Sequence, residues 1–138
     1  MTEARWRSQL IKLLKFIHAV PVENAAGEGT PDVNTVYGWL ELKLLDRWPP
    51  RGGPVGPKLL RPMQRVWLRT RCAHAGSAWV LVRIGDEVLM LWGAWAAEHL
   101  GTTNKEQLLA AAVAHWPARV DIMQLVEHLK RCSVEQRL

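Results

Sequence analysis

Two carboxylates, an amine and a proline-marked turn form the chemically richest stretch of this chain. Asp32 follows Gly29-Thr30-Pro31, and Glu41-Leu42-Lys43 comes a short way downstream. Glu41 and Lys43 are two apart, so on a strand both side chains leave on one face. Val33 to Val36 and Trp39 to Leu44 are rich in β-branched, aromatic and aliphatic residues. That predicts two strands joined by Tyr37-Gly38 as a tight turn. Val36 would then pair with Trp39, Asp32 would lie opposite Lys43, and Glu41 would face Asn34. Asp32 and Glu41 would sit diagonally, with backbones roughly 7–8 Å apart, within reach of one ion. A three-residue turn would put Asp32 on the wrong face. Leu40, Leu42 and Leu44 point the other way, toward a core.

Carboxylates crowded beside an amine need compensation. A hard divalent cation fits, because Mg²⁺ is typically held by one or two carboxylates, waters and substrate phosphate oxygens. Lys43 would orient or deprotonate the attacking water, and the ion would offset the charge added at phosphorus. The chemistry implied is phosphodiester hydrolysis. Glu-x-Lys by itself is common, and Asp32 beside an exposed strand edge could equally serve as a turn cap. The Pro-Asp at this distance upstream is what gives the pattern content. Glu23 is the acid best placed upstream as a further ligand, and Glu28 competes from a glycine-rich loop. The five histidines show no zinc-ligand spacing and receive no role.

The elements that must position these groups follow from periodicity. Residues 4 to 18 predict an amphipathic helix with Trp6, Leu10, Leu13, Leu14 and Ile17 inward. Arg5, Arg7, Lys12 and Lys15 lie on its other face, either solvated or touching phosphates. Pro21 ends this helix, and a flexible Ala-Ala-Gly-Glu-Gly segment follows. Asp46 to Pro62 is rich in proline and glycine and carries Arg47, Arg51, Lys58 and Arg61. Two readings stand for it, a substrate-gripping flap and a solvated surface loop. A helix over 62–75 is expected with Met63, Val66, Trp67 and Thr70 on one face and Gly76 as its C-terminal cap. Ala78–Ile84 and Glu87–Trp92 read as a hairpin across Gly85-Asp86. Ala94–Leu100 is a short helix stopped by Gly101. Thr103 and Glu106 make a capping box for a helix reaching about His115. Asp121 opens the last helix, with Ile122, Leu125, Val126 and Leu129 on one face.

At 138 residues the chain is expected to be one domain, with a catalytic core over about 4–92 and a helical segment over about 93–138. Apolar content of 49% against 22% charged describes a globular chain. The net charge of +5 favours a polyanionic partner, nucleic acid first. No apolar run reaches membrane-spanning length, and no signal peptide is expected, since Glu3, Arg5, Arg7 and Lys12 lie where one needs an apolar segment. Cys72 and Cys132 lack a partner motif and read as reduced, mostly buried thiols, so a cytoplasmic protein is expected. The late tryptophans Trp92, Trp95 and Trp116 suggest an interface with a second copy, although core packing is a tryptophan's ordinary fate.

Gly29-x-Pro31-Asp32, Leu40-Glu41-Leu42-Lys43 and Gln64-Arg65-Val66-Trp67-Leu68 running to Gly76 resemble the PD-(D/E)XK nuclease superfamily. The closest likeness is to its VRR-NUC group, found in bacterial and phage proteins and similar to Holliday-junction resolvases. The glutamine opening the helix after Glu-x-Lys adds to the pattern, since a chance motif would not require it. The resemblance implies an α/β fold with a central mixed sheet flanked by helices, and a Mg²⁺- or Mn²⁺-dependent DNA endonuclease. It implies metal ligation by Asp32, Glu41, the Leu42 carbonyl and Glu23, with Lys43 acting on water and Gln64 supporting the site. Expected DNA contacts are Arg47, Arg51, Lys58, Arg61 and Arg65, with Lys12 and Lys15. Branched DNA and a homodimer follow from the same likeness, with no membrane and no small-molecule cofactor, in a bacterial cell or the host of a phage. The Val-Arg-Arg triplet that names the group has only a weak echo in Leu81-Val82-Arg83, and the loop before Gln64 is longer than usual. A nucleic-acid-binding or assembly protein on the same fold, a restriction-type cutter and an exonuclease are the rival readings.

Overall fold

The computed structural model describes residues 1–23 and 28–135. The centre of the expected flexible segment, residues 25–27, and the side chain of Cys132 lie outside what is described. Six strands form one sheet in chain order: β1 (Val20–Pro21), β2 (Val33–Asn34), β3 (Trp39–Leu45), β4 (Ala78–Ile84), β5 (Glu87–Trp92) and β6 (Ala114–Trp116). Only β3 and β4 run parallel, and the other neighbours are antiparallel. The parallel step needs a crossover, and helix α2 (Pro62–Ala73) provides it. The chain is therefore α/β, with a mixed sheet flanked by helices.

Both faces of the sheet are covered. On one, α1 (Glu3–Leu13), a 3₁₀ turn (Lys15–Ile17) and α5 (Ile122–Glu135) pack over Leu40, Leu42, Trp79, Leu81 and Met90. On the other, α2, α3 (Gly93–His99) and α4 (Lys105–Ala111) pack over Val80, Val82, Leu89 and Leu91. Strand alternation deals the residues of β4 and β5 to the two cores in turn, which is why both strands read as nearly continuous apolar runs. Gly85 turns the β4–β5 hairpin at φ 62°, and its Gly85-Asp86 turn and strand bounds are those expected.

Several expectations are corrected. The loop between β2 and β3 has four residues, not two. Val33 pairs with Leu40 and Asn34 with Trp39, so extending the ladder sets Asp32 opposite Glu41 rather than Lys43. Thr35 organises this loop: its Oγ1 accepts from the Tyr37 and Gly38 N–H groups and donates to the Gly38 carbonyl. The parity of the loop is unchanged, so Asp32 and Glu41 still share a face. Leu13 is 57% exposed, because the helix tightens to a 3₁₀ turn that buries Leu14 and Ile17 instead. On α2 the inward stripe is Gln64, Leu68 and Cys72, while Met63 and Val66 face solvent. Ala75, not Gly76, takes the left-handed conformation after this helix, at φ 59°.

Past α3 the capping box is Asn104 with Gln107, and α4 stops at Ala111. Ala114–Trp116 then pairs with β5 as an edge strand, where a longer helix had been expected. Trp116 is buried and donates to Gln124 of α5, Trp92 meets Trp79 edge to face at 4.8 Å, and Trp95 packs against the α2–α4 core. These tryptophans serve the protomer's own core. The long segment between β3 and α2 is also anchored: Val55 and Leu60 are buried, and Trp48 donates to Glu87 at 2.6 Å. That hydrogen bond, with His115 beside it, holds the Glu87 carboxyl below its usual range. Among the described residues no helix is long and apolar enough to cross a membrane.

Candidate active site

The site forms where the sheet comes apart. Strands β2 and β3 pair over two residues, after which β3 continues with no strand on that side among the described residues. Backbone groups on an open edge must find other partners. The Leu42 N–H donates to Asp32 Oδ2 at 2.9 Å, and the Leu44 N–H donates to Glu3 Oε1 at 3.2 Å. Two carboxylates thus seal the edge that a strand would otherwise cover. A residue's N–H and carbonyl leave a strand on the same side, so the Leu42 carbonyl also faces the Asp32 side.

Glu41 and Lys43 project from β3 beneath α2. The Lys43 ammonium lies 3.5 Å from Glu41 Oε1, and Gln64 Nε2 donates to the same oxygen at 3.1 Å. Gln64 is held in turn by accepting from the Arg61 N–H at 2.9 Å, which closes the first turn of α2. Gly29 makes this geometry possible, since a Cβ there would sit 2.3 Å from the Met63 carbonyl oxygen. Glu41 is 2% exposed. Burial first, then the Asp32 carboxylate, push its carboxyl up to about 9, against the opposing pull of Lys43. At neutral pH it is therefore protonated and hydrogen-bonded with Asp32.

Asp32 is also approached from the opposite helix layer. Arg7 of α1 places Nη1 3.5 Å from Asp32 Oδ1. Both line an open cavity of about 480 Å³ with Glu23, Glu28, Arg61 and Gln64. Glu41 and Lys43 are set behind this wall, reached through Gln64 and Asp32. The cavity is lined by both acids and guanidinium groups, which suits a phosphate brought in beside a cation.

Asp32, Glu41, Lys43 and Gln64 are brought together, and Glu23 joins the cavity wall. Glu28, the competing acid, lines the same cavity. Of the expected DNA contacts only Arg61 reaches it. Arg47, Arg51 and Lys58 are exposed along the anchored loop, and Lys12 and Lys15 are exposed near the end of α1. Arg65 is engaged elsewhere: its guanidinium donates to the Ala96, Ala97 and Leu100 carbonyls and so caps the end of α3. Arg7 is the site residue that sequence reasoning passed over. It stood in the basic face of the first helix, but no local pattern signals a partner 25 positions away.

The donor set fits a hard divalent ion. Two facing carboxyls and a strand carbonyl supply oxygen only, and one of the carboxyls shares a proton with the other where a cation would replace it. Among the described residues no three histidine, cysteine or acidic side chains converge, so the protein's share of ligands is small, as Mg²⁺ tolerates. No protein-family model matches the chain, and no curated protein matches it.

Proposed function

We propose that this chain is a metal-dependent DNA endonuclease of the PD-(D/E)XK type, with a site like that of the VRR-NUC group. The observation that carries the reading is the meeting of Asp32, Lys43 and Gln64 on Glu41, each within hydrogen-bond or ion-pair reach of it, although the four come from a loop, a strand and a helix. A buried acid with a strongly raised pKa beside a second acid and a lysine is the signature of a functional site rather than of a stability device.

Asp32, Glu41 and the Leu42 carbonyl would hold Mg²⁺ or Mn²⁺, with Glu23 on the cavity wall rather than beside them. Such an ion supplies positive charge against the negative charge that builds on the phosphoryl group during hydrolysis. Glu41 must first give up its proton, so ligation couples to proton release. Lys43 then orients the attacking water, and Gln64 fixes the Glu41 carboxylate by donating to Oε1. Arg7 positions Asp32, and Arg61 offers a guanidinium to substrate phosphate.

Branched DNA is the refinement to test, since a four-way junction asks for two symmetric cuts and hence a two-fold dimer. Light scattering at micromolar concentration should show two chains on a four-way junction; one chain of 15.7 kDa added to the mass of the junction removes the refinement. The purified chain, given Mg²⁺ and a panel of linear, nicked, flapped and four-way DNAs, should cut at least one and none in chelator. Binding without cutting across the panel would favour the non-catalytic nucleic-acid-binding reading.

A further inference from the structure

The groove between β3 and α2 does not end at the carboxylates. Along β3, Trp39 precedes Glu41 on the same face, about 7 Å away along the strand. Along α2, Trp67 and Arg71 continue the stripe that Gln64 begins. Trp39 and Trp67 meet edge to face with ring centroids 5.1 Å apart. The Arg71 guanidinium lies 4.6 Å from the Trp67 ring and 5.3 Å from the Trp39 ring.

Three features set this cluster apart from ordinary core packing. Both indoles are half-buried, while Arg71 is exposed at the end of the groove. The stem of Arg71 runs over Gly76, where an added Cβ would stand 2.4 Å from Arg71 Cδ. Among the described residues no carboxylate pairs with Arg71, so its charge faces outward uncompensated. A guanidinium resting over an aromatic ring keeps its in-plane N–H donors for a ligand that is itself flat and anionic. A nucleotide unit combines those properties, with a base to stack and a phosphate to receive two N–H groups.

We infer that Trp39, Trp67 and Arg71 form a stacking site for one unpaired nucleotide of the substrate, next to the cutting site in the α2–β3 groove. The inference takes its ligand from the nucleic-acid reading above and adds a requirement: a single-stranded segment beside the scissile bond. A duplex keeps its bases stacked on each other and offers only phosphate here. Flapped, frayed or junction DNA offers the base as well. The cluster would thus select DNA structure without reading sequence, since every base has a face to stack.

Binding in chelator, where no strand is cut, tests this. Labelled oligo-dT and a blunt duplex of equal length are titrated by anisotropy against the wild type, Arg71→Ala and Arg71→Lys, with thermal melting to confirm that the variants fold. Arg71→Ala should weaken oligo-dT binding roughly tenfold or more while changing duplex binding little. Arg71→Lys, which keeps the charge without the planar group, should also lose most of the oligo-dT affinity. Wild-type affinity for oligo-dT in either variant would overturn the site, and so would equal losses on single strand and duplex. Cutting in Mg²⁺ is scored separately. Wild-type cleavage with no role for Arg71 removes the stacking site alone, whereas Arg71-dependent binding without cleavage on any DNA removes the nuclease alone.

Discussion

The sheet contains two antiparallel hairpins built to opposite ends. Strands β4 and β5 pair over six residues from Ile84 and Glu87 to Trp79 and Trp92, across a two-residue turn, with apolar side chains on both faces. Strands β2 and β3 pair over two residues across a four-residue loop, and then part. In the first hairpin the ladder runs the full length of β5, and most side chains pack into one core or the other. In the second the ladder stops early, and side-chain carboxylates take over backbone donors. The candidate site lies at the unfinished hairpin, where Asp32 and Glu41 lie close to one another and Asp32 is held by the backbone and open to a cavity. The finished hairpin holds that edge steady.

The largest expected effect separates the two hairpins by activity. Asp32→Asn and Glu41→Gln should each lower DNA cleavage by about a hundredfold or more while leaving binding intact, and Asp32→Asn should tighten it, because a negative charge near phosphate is gone. Undiminished cleavage in either variant would mean that the open edge is structural only. The counterpart in the closed hairpin is Trp79→Ala, where a fully buried ring is removed along with its hydrogen bond to Ser77. A loss of about 3–5 kcal/mol in urea unfolding is expected. A loss under 1 kcal/mol would show that the β4–β5 core is looser than its packing indicates.

A third expectation concerns pH. The folded carboxyl of Glu41 titrates near 9 rather than at its ordinary 4.5. A raised folded pKa means that the native state binds the proton more tightly than the unfolded chain does. The stabilisation is therefore full below about 4.5 and is lost as pH climbs toward 9. In chelator, the urea midpoint should fall over that window, and Glu41→Gln should flatten the fall. A wild-type midpoint indifferent to pH there would place Glu41 in a wetter setting than the one seen. The smallest effect belongs to the anchored loop. Replacing Arg51 and Lys58 with alanine should reduce the slope of log affinity against log salt by roughly one to two units if both meet phosphate. An unchanged slope would leave this loop as a solvated surface.

The finished hairpin was readable from sequence, because its signals are local: a Gly-Asp turn and long apolar strands agree with each other. The four site residues were readable by type and spacing, since strand alternation fixes the shared face of Glu41 and Lys43. What escaped was set by partners remote in the chain. The β2–β3 loop length depends on Thr35 folding back on Gly38, which no apolar pattern announces. The inward face of α2 is chosen by Gln64 reaching Glu41, and that polar anchor outranks the apolar Met63 and Val66. Ala114–Trp116 follows an alanine-rich helical run, and the free edge of β5 captures it as a strand despite its propensity. Arg7 needed the tertiary structure altogether.

The sealing of the β3 edge by Asp32 and Glu3 reaches past catalysis. An uncovered strand edge is a template on which another chain can add itself, and proteins commonly block such edges with charge. Here the blocking charge at Leu42 belongs to a proposed ligand, so the Asp32 carboxylate would serve the proposed chemistry and, with Glu3, keep the edge from pairing with another chain. Any change that neutralises or removes it alters solubility during folding as well as chemistry afterwards. Two unrelated demands on the chain therefore converge on the same oxygen atoms.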